Sequence, residues 1–73
     1  MVKAYFVGYI KREIDERRFE VSLWPTMDFP FESYLSDELF NKKVRPLKGN
    51  RILLEYNSDL NEFVIVGVRS RSR

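Results

Sequence analysis

The 73-residue sequence contains neither cysteine nor histidine. Their absence excludes disulfides, thiolate nucleophiles and zinc sites of the usual kind, and it removes the residue most often used as a general acid or base. Small domains are frequently stabilised by a disulfide or a metal, so this one has to rely on its hydrophobic core. We therefore expect no enzyme, no cofactor, no metal site and no small-molecule substrate.

Long hydrophobic runs are also missing. A run such as Phe63 to Val68, which is interrupted by Gly67, is far shorter than the ~20 residues of a membrane helix. The first five residues show no signal-peptide pattern, and the lack of cysteine fits a reducing compartment. These features predict a cytoplasmic protein with no membrane association.

Positive charge is absent from the middle of the chain. No lysine or arginine lies between Phe19 and Asn41, whereas that stretch holds five acidic residues, Glu20, Asp28, Glu32, Asp37 and Glu38. Residues 41–73 carry eight basic and three acidic side chains. An acidic side and a basic side are predicted, which favours a partner bound in one orientation.

What the chain does contain is alternation of apolar and polar residues with a period of two, which is typical of β-strands. Five strands are predicted, at residues 2–11, 18–24, 31–36, 51–56 and 62–69. Gly8 predicts a bulge or a tight bend in the first strand. Phe19, Val21 and Leu23 are expected to point inward and Ser22 outward, and the fifth strand is expected to be buried on both faces.

A short helix is predicted directly after Ser36, the expected N-cap, because Asp37 and Glu38 then fall in its first turn. Five short strands avoid open edges by closing into a barrel. The prediction is an all-β domain over residues 1–69, an OB-like five-stranded barrel with its helix between the third and fourth strands. An SH3-like barrel is the alternative. Residues 70–73, Ser-Arg-Ser-Arg, are expected to form a disordered basic tail.

The pattern resembles bacterial translation initiation factor one and related small OB-fold proteins. The matching segments are Gly8-x-Ile10, Phe19-x-Val21-x-Leu23, Tyr34-Leu35-Ser36, the run from Val44 to Glu55, and Asp59-Leu60. This resemblance implies an OB barrel that binds structured RNA.

Two groups of residues are candidates for binding nucleic acid, with RNA slightly preferred. The first strand offers rings and cations on one face, and the second half of the chain holds the densest basic cluster. These residues are Lys3, Tyr5, Tyr9 and Lys11, followed by Lys42, Lys43, Arg45, Lys48 and Arg51. The alternatives are tyrosines packed under a loop and a solvated charged turn.

A protein-interaction module, or a small subunit of a larger complex, is the alternative function. Its candidate residues lie in the acidic, aromatic-rich stretch and are Trp24, Phe29 and Tyr34. Trp24 is the only tryptophan, and an exposed tryptophan would be a strong anchor for a protein partner.

Overall fold

The structure is a computed structural model that describes residues 3–25 and 29–69. The elements are β1 (Lys3–Glu13), β2 (Arg18–Leu23), β3 (Phe31–Leu35), α1 (Asp37–Asn41), β4 (Arg51–Asn57) and β5 (Glu62–Arg69). All five predicted strands and the helix are present, with ends that differ by one or two residues. Val2 of the first predicted strand, part of the predicted loop (26–28) and the predicted tail (70–73) lie outside the described residues.

The strands close a barrel in the order β1-β2-β3-β5-β4. All neighbours are antiparallel except β3 and β5, whose short parallel pairing joins Tyr34 to Val64 and Leu35 to Ile65. The helix connects β3 to β4, which is where an OB barrel carries it. The all-β, OB-like prediction is confirmed, and this arrangement fits it better than the SH3-like alternative.

β1 is the longest strand of the barrel, and it pairs with its two neighbours along different, overlapping parts of its length. Its first part, Lys3–Tyr9, pairs with β4, and its second part, from Gly8 to Glu13, pairs with β2. Gly8 belongs to both pairings, and a Cβ atom at this position would lie 2.6 Å from the Ser22 carbonyl oxygen. At Gly8 itself the two backbones approach closely, whereas the bulge of β1 lies further along the strand, between Ile10 and Arg12.

The core is formed by inward-pointing side chains of all five strands. Those that are fully or almost fully buried are Ile10, Phe19, Val21, Leu35, Ile52, Leu54 and Ile65. Leu39 and Phe40 of α1 pack against this cluster. The Ser36 hydroxyl accepts a hydrogen bond from the Leu39 N–H at 3.3 Å, which confirms the predicted N-cap. Within the described residues, no helix is long and apolar enough to cross a membrane.

Two burial predictions are wrong. Ser22 was expected to face outward, but it is completely buried at the register position opposite Tyr9 of β1. β5 was expected to be buried on both faces, yet Ile65 is its only fully buried residue. Among residues 3–25 and 29–69 no second layer covers the outer face of β5, so its apolar residues there are only half-buried.

The fit at Gly8 can be tested by adding a single methyl group. Gly8→Ala should lower the free energy of unfolding by more than about 1 kcal/mol, because backbone atoms have to move to admit the new Cβ. Gly67→Ala is the matched control, since its Cβ would lie at an ordinary 3.4 Å from the Leu53 Cβ. Urea unfolding of both variants measures the difference. Equal losses would contradict the close approach of β1 and β2.

Candidate nucleic-acid interface

The outer sides of β1, β4 and β5 form one continuous surface, here called the β1–β4–β5 face. The strand register places its side chains in three rows that run across the strands. The rows are Tyr5–Glu55–Val64, then Val7–Leu53–Gly67, then Tyr9–Arg51–Arg69. Successive rows are about 6.7 Å apart, because side chains on one face recur every second residue.

The first row contains the most exposed ring of this face. Tyr5 is 58% exposed and so is not packed under a loop. Tyr9, two rows away, is half-buried, and the Arg51 guanidinium carbon lies 5.9 Å from its ring centroid. The structure thus brings together Tyr5, Tyr9 and Arg51, three of the residues predicted from the sequence.

Four cations near this face form what we call the basic strip: Lys11, Lys48, Arg51 and Arg69. The Gly49 N–H donates to the Ile10 carbonyl at 2.8 Å, which places the turn containing Lys48 beside the middle of β1. Arg69 is the register partner of Arg51. Among residues 3–25 and 29–69, no ion pair involves any of the four. Their charge is therefore available to an anionic partner.

The other predicted cations are already neutralised, or lie elsewhere. Lys3 pairs with Glu55 at 3.3 Å, and Lys42 pairs with Glu38 one helical turn away at 3.1 Å. Lys43 is exposed and lies in a depression between α1 and the turn that joins β1 to β2.

Arg45 has a structural environment that the sequence did not reveal. Its guanidinium donates to the Glu13 carboxylate and to the Glu16 carbonyl, and it lies 5.5 Å from the Phe19 ring centroid. The basic cluster predicted between residues 42 and 51 is thus divided. Lys48 and Arg51 belong to the basic strip, whereas Arg45 links the segment after α1 to the β1–β2 turn through these hydrogen bonds.

The outer surface of β2 and β3, which OB folds usually present to nucleic acid, is occupied by internal ion pairs. Arg12 pairs with Glu20 at 3.2 Å. Arg18 lies between Asp15 at 2.8 Å and Glu32 at 3.5 Å. Because each arginine already faces a carboxylate, this surface offers little free positive charge to a phosphate.

The three candidates for protein binding do not form one surface. Tyr34 is engaged within the fold: its hydroxyl donates to Glu62 at 2.8 Å, and this hydrogen bond raises the pKa of Tyr34. Phe29 is 87% exposed in the loop between β2 and β3. Trp24 is 57% exposed and lies beside β1, where its N–H donates to the Val7 carbonyl.

Sequence reasoning missed Arg69, Val7 and Leu53 as part of this surface. Val7 and Leu53 are 38% and 40% exposed and face each other across β1 and β4. The alternation of each strand marks its outward residues, but only the pairing of distant strands shows that these residues are neighbours. The described residues contain no group of three or more acidic side chains that could hold a metal ion.

No protein-family model matches the chain, and no curated protein matches it either. Its fold is similar to that of a solved structure, YjeQ from Thermotoga maritima, with a TM-score of 0.72 over 94% of this chain. The two are 14% identical, and this chain spans 24% of that one. At such low identity the likeness shows a shared fold alone, and it agrees with the OB-like barrel.

The ion pairs of the β1–β2 turn can be tested by titration. The Arg17 N–H, the Arg18 side chain and the Arg18 N–H all donate to Asp15, and these hydrogen bonds lower its pKa from 3.8 to about 2. A carboxylate with a lowered pKa stabilises the fold above its unfolded pKa, and this stabilisation is lost as the pH falls through the folded value.

We therefore expect the parent to lose stability more steeply than Asp15→Asn between about pH 4 and pH 2. Urea unfolding across this range compares the two proteins, and the NMR shift of the Asp15 carboxyl carbon gives its midpoint directly. A midpoint near 3.8 would show that these hydrogen bonds do not persist in solution.

Proposed function

We propose that this protein is a small nucleic-acid-binding module, with RNA slightly preferred, and that it binds through the β1–β4–β5 face and the basic strip. It is proposed to act by binding alone, without catalysis, a cofactor or a small-molecule substrate, and in the cytoplasm. The preference for RNA comes from the resemblance to initiation factor one.

The basic strip is the observation that carries this proposal. Lys11, Lys48, Arg51 and Arg69 have no carboxylate partner among the described residues, while most other cations of the barrel do. Binding to phosphates releases condensed counterions from the nucleic acid, and this release supplies much of the affinity. A cation already held by a carboxylate must first lose that partner, so the unpaired cations supply most of the attraction.

The distribution of acidic residues supports the same face. Glu20 and Glu32 lie opposite each other on the outer side of β2 and β3, and the Asp15 carboxylate lies nearby at Arg18. A phosphate backbone on that surface would meet these carboxylates. On the β1–β4–β5 face the middle row is apolar, and Glu55 in the first row is already paired with Lys3.

Protein binding remains a second candidate because of one specific observation. Val7 and Leu53 are exposed apolar residues in the middle row, and the buried centre of a protein interface is more apolar than the rest of a protein surface. Affinity purification from the source cell, with and without nuclease, separates the two functions. Recovery of nucleic acid supports the first proposal, and recovery of one defined protein after nuclease treatment supports the second.

Removing one charge of the basic strip tests the proposed function. Arg51→Ala should weaken binding to a labelled single-stranded RNA by about fivefold or more and reduce the salt slope by about one unit. Fluorescence anisotropy, repeated from about 50 to 200 mM salt, measures both quantities.

Arg18→Ala is the matched control, because it removes an arginine of similar exposure whose charge is already paired. It should leave both the affinity and the salt slope nearly unchanged. If parent and Arg51→Ala bind alike, or if Arg18→Ala has the larger effect, the assignment of this face is wrong.

A further inference from the structure

Trp24 lies directly beyond the last residue of β2, at a position fixed by β1. Leu23 pairs with Gly8, and the Trp24 N–H donates to the Val7 carbonyl at 2.9 Å, which extends the β1–β2 pairing by one residue. Leu23 packs against the core, and the next residue, Trp24, is 57% exposed. Trp24 is therefore beside Val7 on the outer surface.

This position adds a fourth member to the middle row, which now reads Trp24–Val7–Leu53–Gly67. The row crosses four neighbouring strands, and Gly67 at its far end leaves the surface open above the Leu53 side chain. The exposed Tyr5 lies in the row on one side, and Tyr9 with Arg51 in the row on the other. Trp24 thus lies at the β2 end of the middle row, next to Val7, and adjoins the proposed site.

The combination of an apolar row and an adjacent row that holds Arg51 and Arg69 restricts the kind of ligand that this surface can bind. Phosphates can lie along Arg51 and Arg69, while the exposed indole and the Tyr5 ring are available to the faces of bases. In a duplex the base faces are stacked on each other and only the backbone and groove edges reach a protein surface. Exposed rings would contribute nothing to binding such a duplex.

We infer that Trp24 is a base-stacking residue of the β1–β4–β5 face and that this face takes single-stranded nucleic acid with unpaired bases. This inference rests on the proposed function. It differs from that function in assigning Trp24 to nucleic acid instead of a protein partner, and in excluding a duplex as the preferred ligand.

The single tryptophan makes the inference directly measurable, because any change in tryptophan fluorescence comes from Trp24. The parent is titrated with a single-stranded RNA of about 15 nucleotides and with a duplex of the same sequence, and anisotropy of the labelled RNA is followed in parallel. We expect the single strand to quench the fluorescence of Trp24 and to bind more tightly than the duplex.

Substitutions at Trp24 distinguish an affinity gained from base stacking from an affinity gained from charge. Trp24→Ala should weaken single-strand binding by about 5- to 150-fold, the effect of losing one stacked base, and leave the salt slope unchanged. Trp24→Phe retains a ring and should recover most of the affinity. Leu60→Ala is the control, because Leu60 is similarly exposed at 62% but lies in the turn between β4 and β5.

The outcomes distinguish the two proposals. Equal binding of single strand and duplex, with unchanged Trp24 fluorescence and a salt slope that depends on Arg51, overturns the role of Trp24 and leaves the proposed function standing. No binding of either RNA at about 50 mM salt overturns both. A loss in Trp24→Ala that Trp24→Phe does not reduce also contradicts stacking.

Discussion

The double pairing of β1 is the constraint on which the rest of this structure depends. One strand of 11 residues closes the barrel by pairing with β4 along its first part and with β2 along its second. Both pairings include Gly8, where the backbones approach so closely that a side chain does not fit. Alternation along β1 places Ile10 in the core and Tyr5, Val7 and Tyr9 on the outer side, so the same strand supplies the core and the candidate site.

The surface has two regions that differ in whether their charged side chains are paired within the chain. Around β2 and β3 the charges are paired within the chain, as in Arg12 with Glu20 and Arg18 with Asp15. Exposed pairs of this kind contribute little to stability, but each one removes a cation from the set that can attract a phosphate. Beside β1, β4 and the end of β5, the cations of the basic strip have no such partner among the described residues. The two sides of the barrel therefore differ mainly in whether their cations are paired with carboxylates, and less in their net charge.

The sequence predicted the location of each strand and of α1 well, because these features depend on local patterns. Alternation marked the strands, and Ser36 followed by two acidic residues marked the start of the helix. The sequence-based predictions of burial were wrong where the burial of a side chain depends on distant parts of the chain. Ser22 follows the outward phase of its own strand, yet it is completely buried in the closed barrel. β5 is an apolar run, yet its outer residues are only half-buried, because no second layer covers them in the described part of the chain.

The features of the candidate site likewise divide into those that follow from the local sequence and those that depend on tertiary contacts. By itself the sequence determined the absence of cysteine and histidine chemistry, the acidic middle of the chain and the tyrosines of the first strand, since these follow from composition and from spacing within one segment. Only the tertiary structure decided that Arg45 is held by the β1–β2 turn, that Arg69 lies beside Arg51, and that Trp24 lies next to Val7. The physical reason is the register of the strands. Hydrogen bonds between strands that are far apart in the chain determine which outward side chains are neighbours. Neither the charge nor the periodicity of a single segment specifies that register.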